Sequence, residues 1–342
     1  MDETDPDILI DKNGICNYCH TAKLRIKPTD SPLAKIKKAG EGKMYDCLIG
    51  LSGGVDSSLV AHYVMQLGLN PLAVRLDNGW DTDVAKSNIS NLIKKLDIDC
   101  LHLQLQPEET KSYKELQVCF LAAGVINAEI PTDHVLGVLL YKTAMDNKIK
   151  YIISGGNYAT EGTMPEAWSY SSKDLFHIQQ IYKGFAGKKL KNLPTMNLLQ
   201  YIYSRARVKT INLLDYYDYN QRVAKELLAK EYDWQDYGNK HCENAYTRWY
   251  QEYYLPNKFK IDKRKAHLSS LIQSGQMTRE EAINELEKPL VNNDSPRVMA
   301  EFGISQNKFE KLMTLPPIPH KDYQNHEWLW RFASKMYRLI KK

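Results

Sequence analysis

Residues 48–60 read Leu48-Ile49-Gly50-Leu51-Ser52-Gly53-Gly54-Val55-Asp56-Ser57-Ser58-Leu59-Val60, and their reading decides the fold. The apolar run up to Leu51 suits a strand buried on both faces. Gly53 and Gly54 allow a tight turn and the close approach of a ligand to the main chain. From Val55 onward Leu59, Val60, Val64 and Leu67 recur at helical spacing, and Gly68 stops the helix. A helix that starts on a glycine turn aims unpaired N–H groups and a positive dipole end at its occupant, which favours an anion. Ser52, Ser57 and Ser58 add hydroxyl donors, and Asp56 is a candidate holder of a metal ion that bridges phosphates.

The motif Ser-Gly-Gly-Val-Asp-Ser-Ser resembles the PP-loop of the ATP pyrophosphatases, which split ATP into AMP and pyrophosphate. It is not a Walker A loop, since GxxxxGK[ST] is absent.

The elements around the loop fit the same architecture. Pro71–Leu76 reads as a second strand ending in the loop Asp77-Asn78-Gly79-Trp80, followed by a helix over Asp83–Leu96. Cys100–Leu105 and Lys150–Ser154 read as third and fourth strands, and Pro131-Thr132-Asp133 opens the helix between them. Alternating strands and helices imply a doubly wound parallel sheet whose ligand lies beyond the carboxyl ends of the strands. That edge gathers Ser52–Ser58, Arg75–Trp80 and the loop from Gly155, Gly156 and Asn157 to Glu161. From about Leu175 strand signals fade and helical patterning takes over. Thr278-Arg279-Glu280-Glu281 is a capping box for a helix that Pro289 ends. The expected organisation is a leader over 1–43, an α/β nucleotide domain over 44–175 and a mostly helical domain over 176–342.

The chain has 342 residues, 43% of them hydrophobic and 25% charged, the balance of a globular protein of about two domains. No apolar run reaches the roughly 18 residues of a membrane span. The acidic start does not read as a signal peptide, so a cytoplasmic location is expected. A net charge of +5 is too mild to argue for nucleic-acid binding by itself. Six cysteines without a secretion signal read as reduced thiols or metal ligands. Cys16 and Cys19 form a CxxC knuckle, half of a tetrahedral zinc site, with His20 as a candidate third ligand. Two free surface thiols are the other reading. Cys47, Cys100 and Cys242 read as small buried hydrophobes, as do most of the aromatics between Tyr201 and Tyr254.

Two polar clusters mark the C-terminal part. One is Asp236-Tyr237-Gly238-Asn239-Lys240-His241-Cys242-Glu243. The other runs from Lys258 through Lys263, Arg264 and His267 to Ser269. The second alternates cations with apolar anchors. It suits substrate phosphates, an RNA backbone or a solvated basic face.

Taken together, GICNYC, GLSGGVDSS, LDNGW, PTDH, GGNYATEGTMPEAW, YGNKH and KFKIDKRKAHLS resemble the N-acetyl sugar amidotransferase family, PP-loop proteins of lipopolysaccharide and flagellar sugar biosynthesis. The resemblance implies an α/β fold of the PP-loop (adenine nucleotide α-hydrolase-like) kind with a mostly helical C-terminal domain. It implies ATP and Mg²⁺ as cofactors and a nucleotide-linked or related acetamido sugar as substrate. Ammonia would come from a glutaminase and a cyclase-like barrel, and the product would be an acetamidino sugar. Ser52, Gly53, Gly54, Ser57 and Ser58 would hold pyrophosphate, and Asp56 Mg²⁺. Arg75 and Asp77 would lie near the adenosine, while Gly155, Gly156 and Asn157 would line AMP. Asp133 and His134 would orient groups at the head of their helix. Lys240, His241, Lys263, Arg264 and His267 are candidates for sugar-phosphate contacts and acid–base help. Family members carry a further CxxC just ahead of the stretch matching Asp2–Asp7. The sequence here begins at Met1, inside that region, which leaves two readings: a start that is misplaced or truncated, or a member that lacks the zinc of Cys16 and Cys19. A PP-loop tRNA-thiolating enzyme is the alternative. It calls for a reactive cysteine pair at the active site or an RNA-binding module.

Overall fold

A computed structural model describes residues 1–25 and 27–340. Helices α1 (Asn17–Lys23) and α2 (Leu33–Gly40) come first. Then β1 (Cys47–Gly50), α3 (Val55–Gln66), β2 (Pro71–Asp77), α4 (Asp83–Leu96), β3 (Cys100–Gln104), α5 (Pro107–Ala123), α6 (Ile130–Asp146) and β4 (Tyr151–Ser154) follow. After them come α7 (Tyr158–Glu161), α8 (Leu175–Ala186), α9 (Leu198–Arg207), β5 (Lys209–Asn212) and α10 (Gln221–Tyr232). The remainder is helical: α11 (Ala245–Trp249), a π-helical run (Tyr250–Phe259), α12 (Arg264–Gln273), α13 (Arg279–Glu287), α14 (Ser295–Phe302), α15 (Gln306–Thr314) and α16 (Glu327–Ile340).

The five strands form one parallel sheet in the order β3-β2-β1-β4-β5. Succession runs outward from β1 through β2 to β3, then restarts at β4 on the other side of β1. The chain therefore reverses its winding between β1 and β4, and the crevice outside their carboxyl ends is where ligands bind in such sheets. Cys47, Leu48 and Ile49 are fully buried because helices cover both faces. Val55, Leu59 and Val60 of α3 pack with Ile49 on one side. Val138, Tyr141 and Ala144 of α6 pack with Leu48 and Val74 on the other. Truncating a side chain such as Leu48 to alanine would cost about 2–5 kcal/mol.

A second core, built on Trp80, Tyr246, Trp249, Tyr250 and Tyr254, seats the C-terminal helices against the α/β part. The expected caps are present. Thr278 and Glu281 close a reciprocal capping box on α13, and Gly68 takes φ +67° just past α3.

Two expectations need correction. The sheet takes a fifth strand, Lys209–Asn212, from the segment read as helical. It is a four-residue edge strand, largely exposed, and too short and polar to carry an alternating signal. The leader is also not separate. Ile36 of α2 is buried in the main core, Thr4 O accepts from Trp168 Nε1 at 3.1 Å, and the Met1 amino group donates to Ser269 Oγ at 3.0 Å.

No described helix is long and apolar enough to cross a membrane.

Candidate active site

The loop after β1 is held from beneath. Gly53 O accepts from Asn88 Nδ2 at 3.1 Å and from Trp234 Nε1 at 3.0 Å. Gly53 has φ +78°, and a Cβ there would stand 2.6 Å from Ala85 O, so both conformation and space demand glycine. Ser52 Oγ lies 3.1 Å from Ser57 Oγ and accepts from Gly54 N at 3.2 Å. Gly155, past the end of β4, presses on the same turn. A Cβ on it would approach the Asp56 carbonyl carbon and Ser57 N to 3.1 Å. The sequence thus folds the two glycine-bearing strand ends against each other at the switch point, with the first turn of α3 facing the crevice.

The segment 234–243 closes over this turn. The Tyr237 hydroxyl accepts from Val55 N at 3.0 Å. Ser52 Oγ donates to Glu243 Oε1 at 3.1 Å. Glu243 is buried, and burial pushes its carboxyl up from the ordinary range. Lys240 Nζ donates to Asp56 Oδ2, to Thr160 Oγ1 at 2.9 Å, and pairs with Glu161 Oε1 at 3.2 Å. The Tyr219 hydroxyl donates to Asp56 Oδ1. His241 Nε2 reaches Glu161 Oε1 at 3.3 Å, and His241 itself holds φ +64°, a left-handed backbone uncommon outside glycine.

The electrostatics of this cluster are coherent. Burial works against the charge on Glu161, but the His241 hydrogen bond and the Lys240 ammonium outweigh it and hold the carboxyl well below its usual range. Burial likewise opposes the charge on Lys240, yet Asp56 and Glu161 raise its pKa, so it is a fixed cation at neutral pH. Asp56 and Glu161, with the Thr160 hydroxyl beside them, form a hard oxygen set of the kind Mg²⁺ accepts when phosphates supply the rest. Ser52, Ser57 and the head of α3 suit phosphate.

Beside the loop lies a cleft of about 380 Å³ along the carboxyl edge of β1, β2 and β4, with Ser52, Ser57, Val74, Gly155, Glu129 and Asp133 in its walls. Thr247 Oγ1 donates to Glu129 Oε1, and Lys263 Nζ lies 4.0 Å from Glu129 Oε2.

Several expected site residues are engaged in holding the protein together. Arg75, expected near adenosine, closes its guanidinium on Asp81 at 3.0 and 2.7 Å, and Asp77 accepts from Gly79 N at 3.1 Å within its own turn. Asn157 caps α7, accepting from Thr160 N at 2.9 Å, and so aims Thr160 and Glu161 at Lys240. Gly156 N donates to Ser154 Oγ at 3.0 Å. His134 is buried between Ser172 O at 2.7 Å and Met196 N at 3.2 Å, which makes it a neutral tie between loops. Arg264 gives its guanidinium to Asp262 and to the carbonyls of Glu285, Leu286 and Lys288. His267 is buried under His241. Its Nδ1 lies 3.4 Å from Thr160 O, its Nε2 has no partner among the described residues, and burial pushes its pKa well below the ordinary value. Ser58 is fully buried behind the loop.

The cysteines do not build a zinc centre among the described residues. Cys16 and Cys19 Sγ lie 3.6 Å apart, but His20 turns to Asp11 at 2.9 Å, and no group of three or more potential ligands forms. Burial raises the thiols of Cys47, Cys100, Cys119 and Cys242 above their ordinary value.

Glu243, Tyr219, Tyr237, Thr160 and Glu129 are contacts that the sequence reading left out of the site. Tyr237 and Glu243 flank Lys240 and His241 in a cluster that stood out for its polarity, so a signal existed for them. Nothing local marked Tyr219.

Two parts of the chain match known families. Residues 34–192 match the NAD synthase family model, and residues 243–337 match the model described as LPS biosynthesis protein WbpG-like, C-terminal domain. No curated protein matches the sequence. Solved structures that resemble the chain include NMN synthetase from Francisella tularensis, at 18% identity and TM-score 0.34, covering 82% of this chain and 96% of that one. Another is the NH3-dependent NAD synthetase from Campylobacter jejuni subsp. jejuni NCTC 11168, at 12% identity and TM-score 0.26, covering 50% and 77%. The two matches give one polypeptide a PP-loop domain of the NAD-synthase kind and a region similar to the WbpG-like C-terminal domain.

Proposed function

We propose that the protein is an ATP-dependent amidotransferase that turns the acetamido group of a nucleotide-linked or related sugar into an acetamidino group, for lipopolysaccharide O-antigen or flagellin glycan synthesis. One observation carries the reading. A PP-loop domain is joined to a WbpG-like domain, and Lys240, from the segment leading into the second, lies on Asp56 of the first.

An amide accepts ammonia poorly because its oxygen is a poor leaving group. In the proposed reaction the acetamido oxygen attacks the α-phosphorus of ATP and pyrophosphate leaves, giving an O-adenylyl imidate. Ammonia adds at the carbon, AMP departs with the former amide oxygen, and the amidine keeps the extra proton as an amidinium. The chain's part is positioning and charge compensation. Ser52, Ser57 and the first turn of α3 receive the leaving pyrophosphate. Asp56 and Glu161 would hold Mg²⁺, which supplies neutralising charge on the phosphates. Lys240 is a fixed cation for the charge that develops as pyrophosphate leaves. Ammonia would reach the site from a glutaminase and a cyclase-like barrel acting as partners, in the cytoplasm.

The burial and raised pKa of Cys242, next to the site, favour this reading over tRNA thiolation, which needs an accessible thiolate. The test is product analysis with ATP, Mg²⁺, an ammonium salt and UDP-N-acetyl sugars. AMP and pyrophosphate with loss of the acetamido oxygen are expected, and ADP as the nucleotide product would overturn the proposal.

A further inference from the structure

The cleft beside the loop has a neighbour at Asp133. A second chamber of about 290 Å³ opens over α6, and four residues, Asp133, Gly137, Tyr141 and Thr210, line both. The two chambers therefore adjoin across the surface of α6. Gly137 forms part of the floor where they meet. A Cβ there would meet nothing within 4 Å, so its missing side chain leaves the passage open.

The far chamber differs in chemistry from the near one. Its walls carry Lys173 and Arg205 against a single carboxylate, Asp133, among the described residues. It also carries two tyrosine rings. Lys173 Nζ lies 5.0 Å from the centroid of Tyr201, Arg205 Nη1 lies 3.5 Å from the Tyr141 hydroxyl, and the two rings meet edge-to-face at 5.9 Å. Two cations on neighbouring segments suit a diphosphate, and the half-buried Tyr201 ring beside them, seated on the buried Tyr141, suits a planar base. None of these four residues belongs to the basic runs that drew attention in the sequence.

We infer that this far chamber binds the nucleoside diphosphate of a nucleotide-linked acetamido sugar, so that the sugar lies across Gly137 and Asp133 and its acetamido group faces Ser57 and Gly155. The inference rests on the amidotransferase reading for the identity of the reacting end. The chamber's choice of ligand rests on its own charge and rings. ATP and the sugar nucleotide then occupy adjoining chambers and bind together rather than in competition.

Titration calorimetry on the full chain tests this, with UDP-N-acetylglucosamine as probe, in the presence and absence of α,β-methylene-ATP. The expected result is that both ligands bind at once. Lys173→Glu, at an exposed position, weakens the sugar nucleotide by about tenfold or more and leaves the ATP analogue unchanged. Gly137→Leu, which improves helix propensity and so keeps α6 intact, also weakens the sugar nucleotide. Inorganic pyrophosphate binds more weakly than the probe. The inference is overturned if the wild-type chain does not bind the probe, if the ATP analogue displaces it, if Lys173→Glu binds it equally well, or if pyrophosphate matches it. Lys173-dependent binding alongside ADP as the reaction product would sink the amidotransferase reading and leave this site standing.

Discussion

Lys240 stands 184 residues after Asp56 in the chain and lays its ammonium on that carboxylate, with Glu161 on its other side at 3.2 Å. Removing the cation by Lys240→Met leaves two carboxylates facing each other in a partly closed site. The expected losses are at least about a hundredfold in kcat and about 3–5 kcal/mol in stability. AMP release and urea unfolding read the two effects separately. Unchanged turnover would remove Lys240 from the chemistry.

Asp56→Ala is expected to abolish AMP formation while the far-ultraviolet circular dichroism stays that of the wild type. Asp56 is in the first turn of α3, its side chain 14% exposed beneath Lys240 and Tyr219, and the core residues of that helix lie on its other face. Activity that persists, or that no longer depends on Mg²⁺ concentration in the wild type, would assign the metal elsewhere.

The charge cluster sets a pH window. Glu161 is held below its ordinary value of 4.5, so its contribution is complete above that pH and is lost as the pH falls towards its folded value. Lys240 is raised above 10.5, so its contribution is complete below that pH and is lost as the pH rises through its folded value. Between these limits the cluster contributes a constant stabilisation. Urea unfolding of wild type and Glu161→Gln should therefore show curves that converge below pH 4.5. Parallel curves down to pH 3 would contradict the assignment.

Arg264→Ala separates structure from binding. Its guanidinium holds the carbonyls that end α13, as well as Asp262, so the variant should lose about 1–3 kcal/mol of stability with KM for the sugar substrate unchanged. A raised KM at unchanged stability would return Arg264 to the substrate site.

Gly53→Ala meets both a φ of +78° and a Cβ contact at 2.6 Å with Ala85 O. A loss of about 1–3 kcal/mol and weaker ATP binding are expected, measured by thermal melts with and without nucleotide. An unchanged melt would mean that the loop relaxes freely, and the tight cradle described above would be wrong.

Much of the site was legible because it is local. Ser52 to Ser58 form one turn and the start of one helix, so spacing alone placed them. Gly155 was legible too, as a glycine at a strand end. For other candidates the sequence left the contact open, for a common reason. Arg75, His134 and Arg264 are polar residues in polar runs, and a sequence does not say whether such a group meets a ligand or a carbonyl of its own chain. In the structure Arg75 meets Asp81, His134 meets Ser172 and Met196, and Arg264 meets the end of α13. β5 was missed because four residues are too few to show an alternating pattern.

By itself the sequence determined the parallel sheet and the glycine turn after β1, since hydrophobic periodicity and glycine placement act over a few residues and need no partner. Only the tertiary structure decided that Lys240 and Tyr219 converge on Asp56 with Glu161 on the other side of Lys240, and that Lys173 and Arg205 line a chamber adjoining the cleft that holds Ser57. Those meetings join segments far apart in the chain, and they exist because the sheet's winding and the aromatic core on Trp249 carry them to the same edge. No local propensity encodes a distance between side chains that only packing brings together.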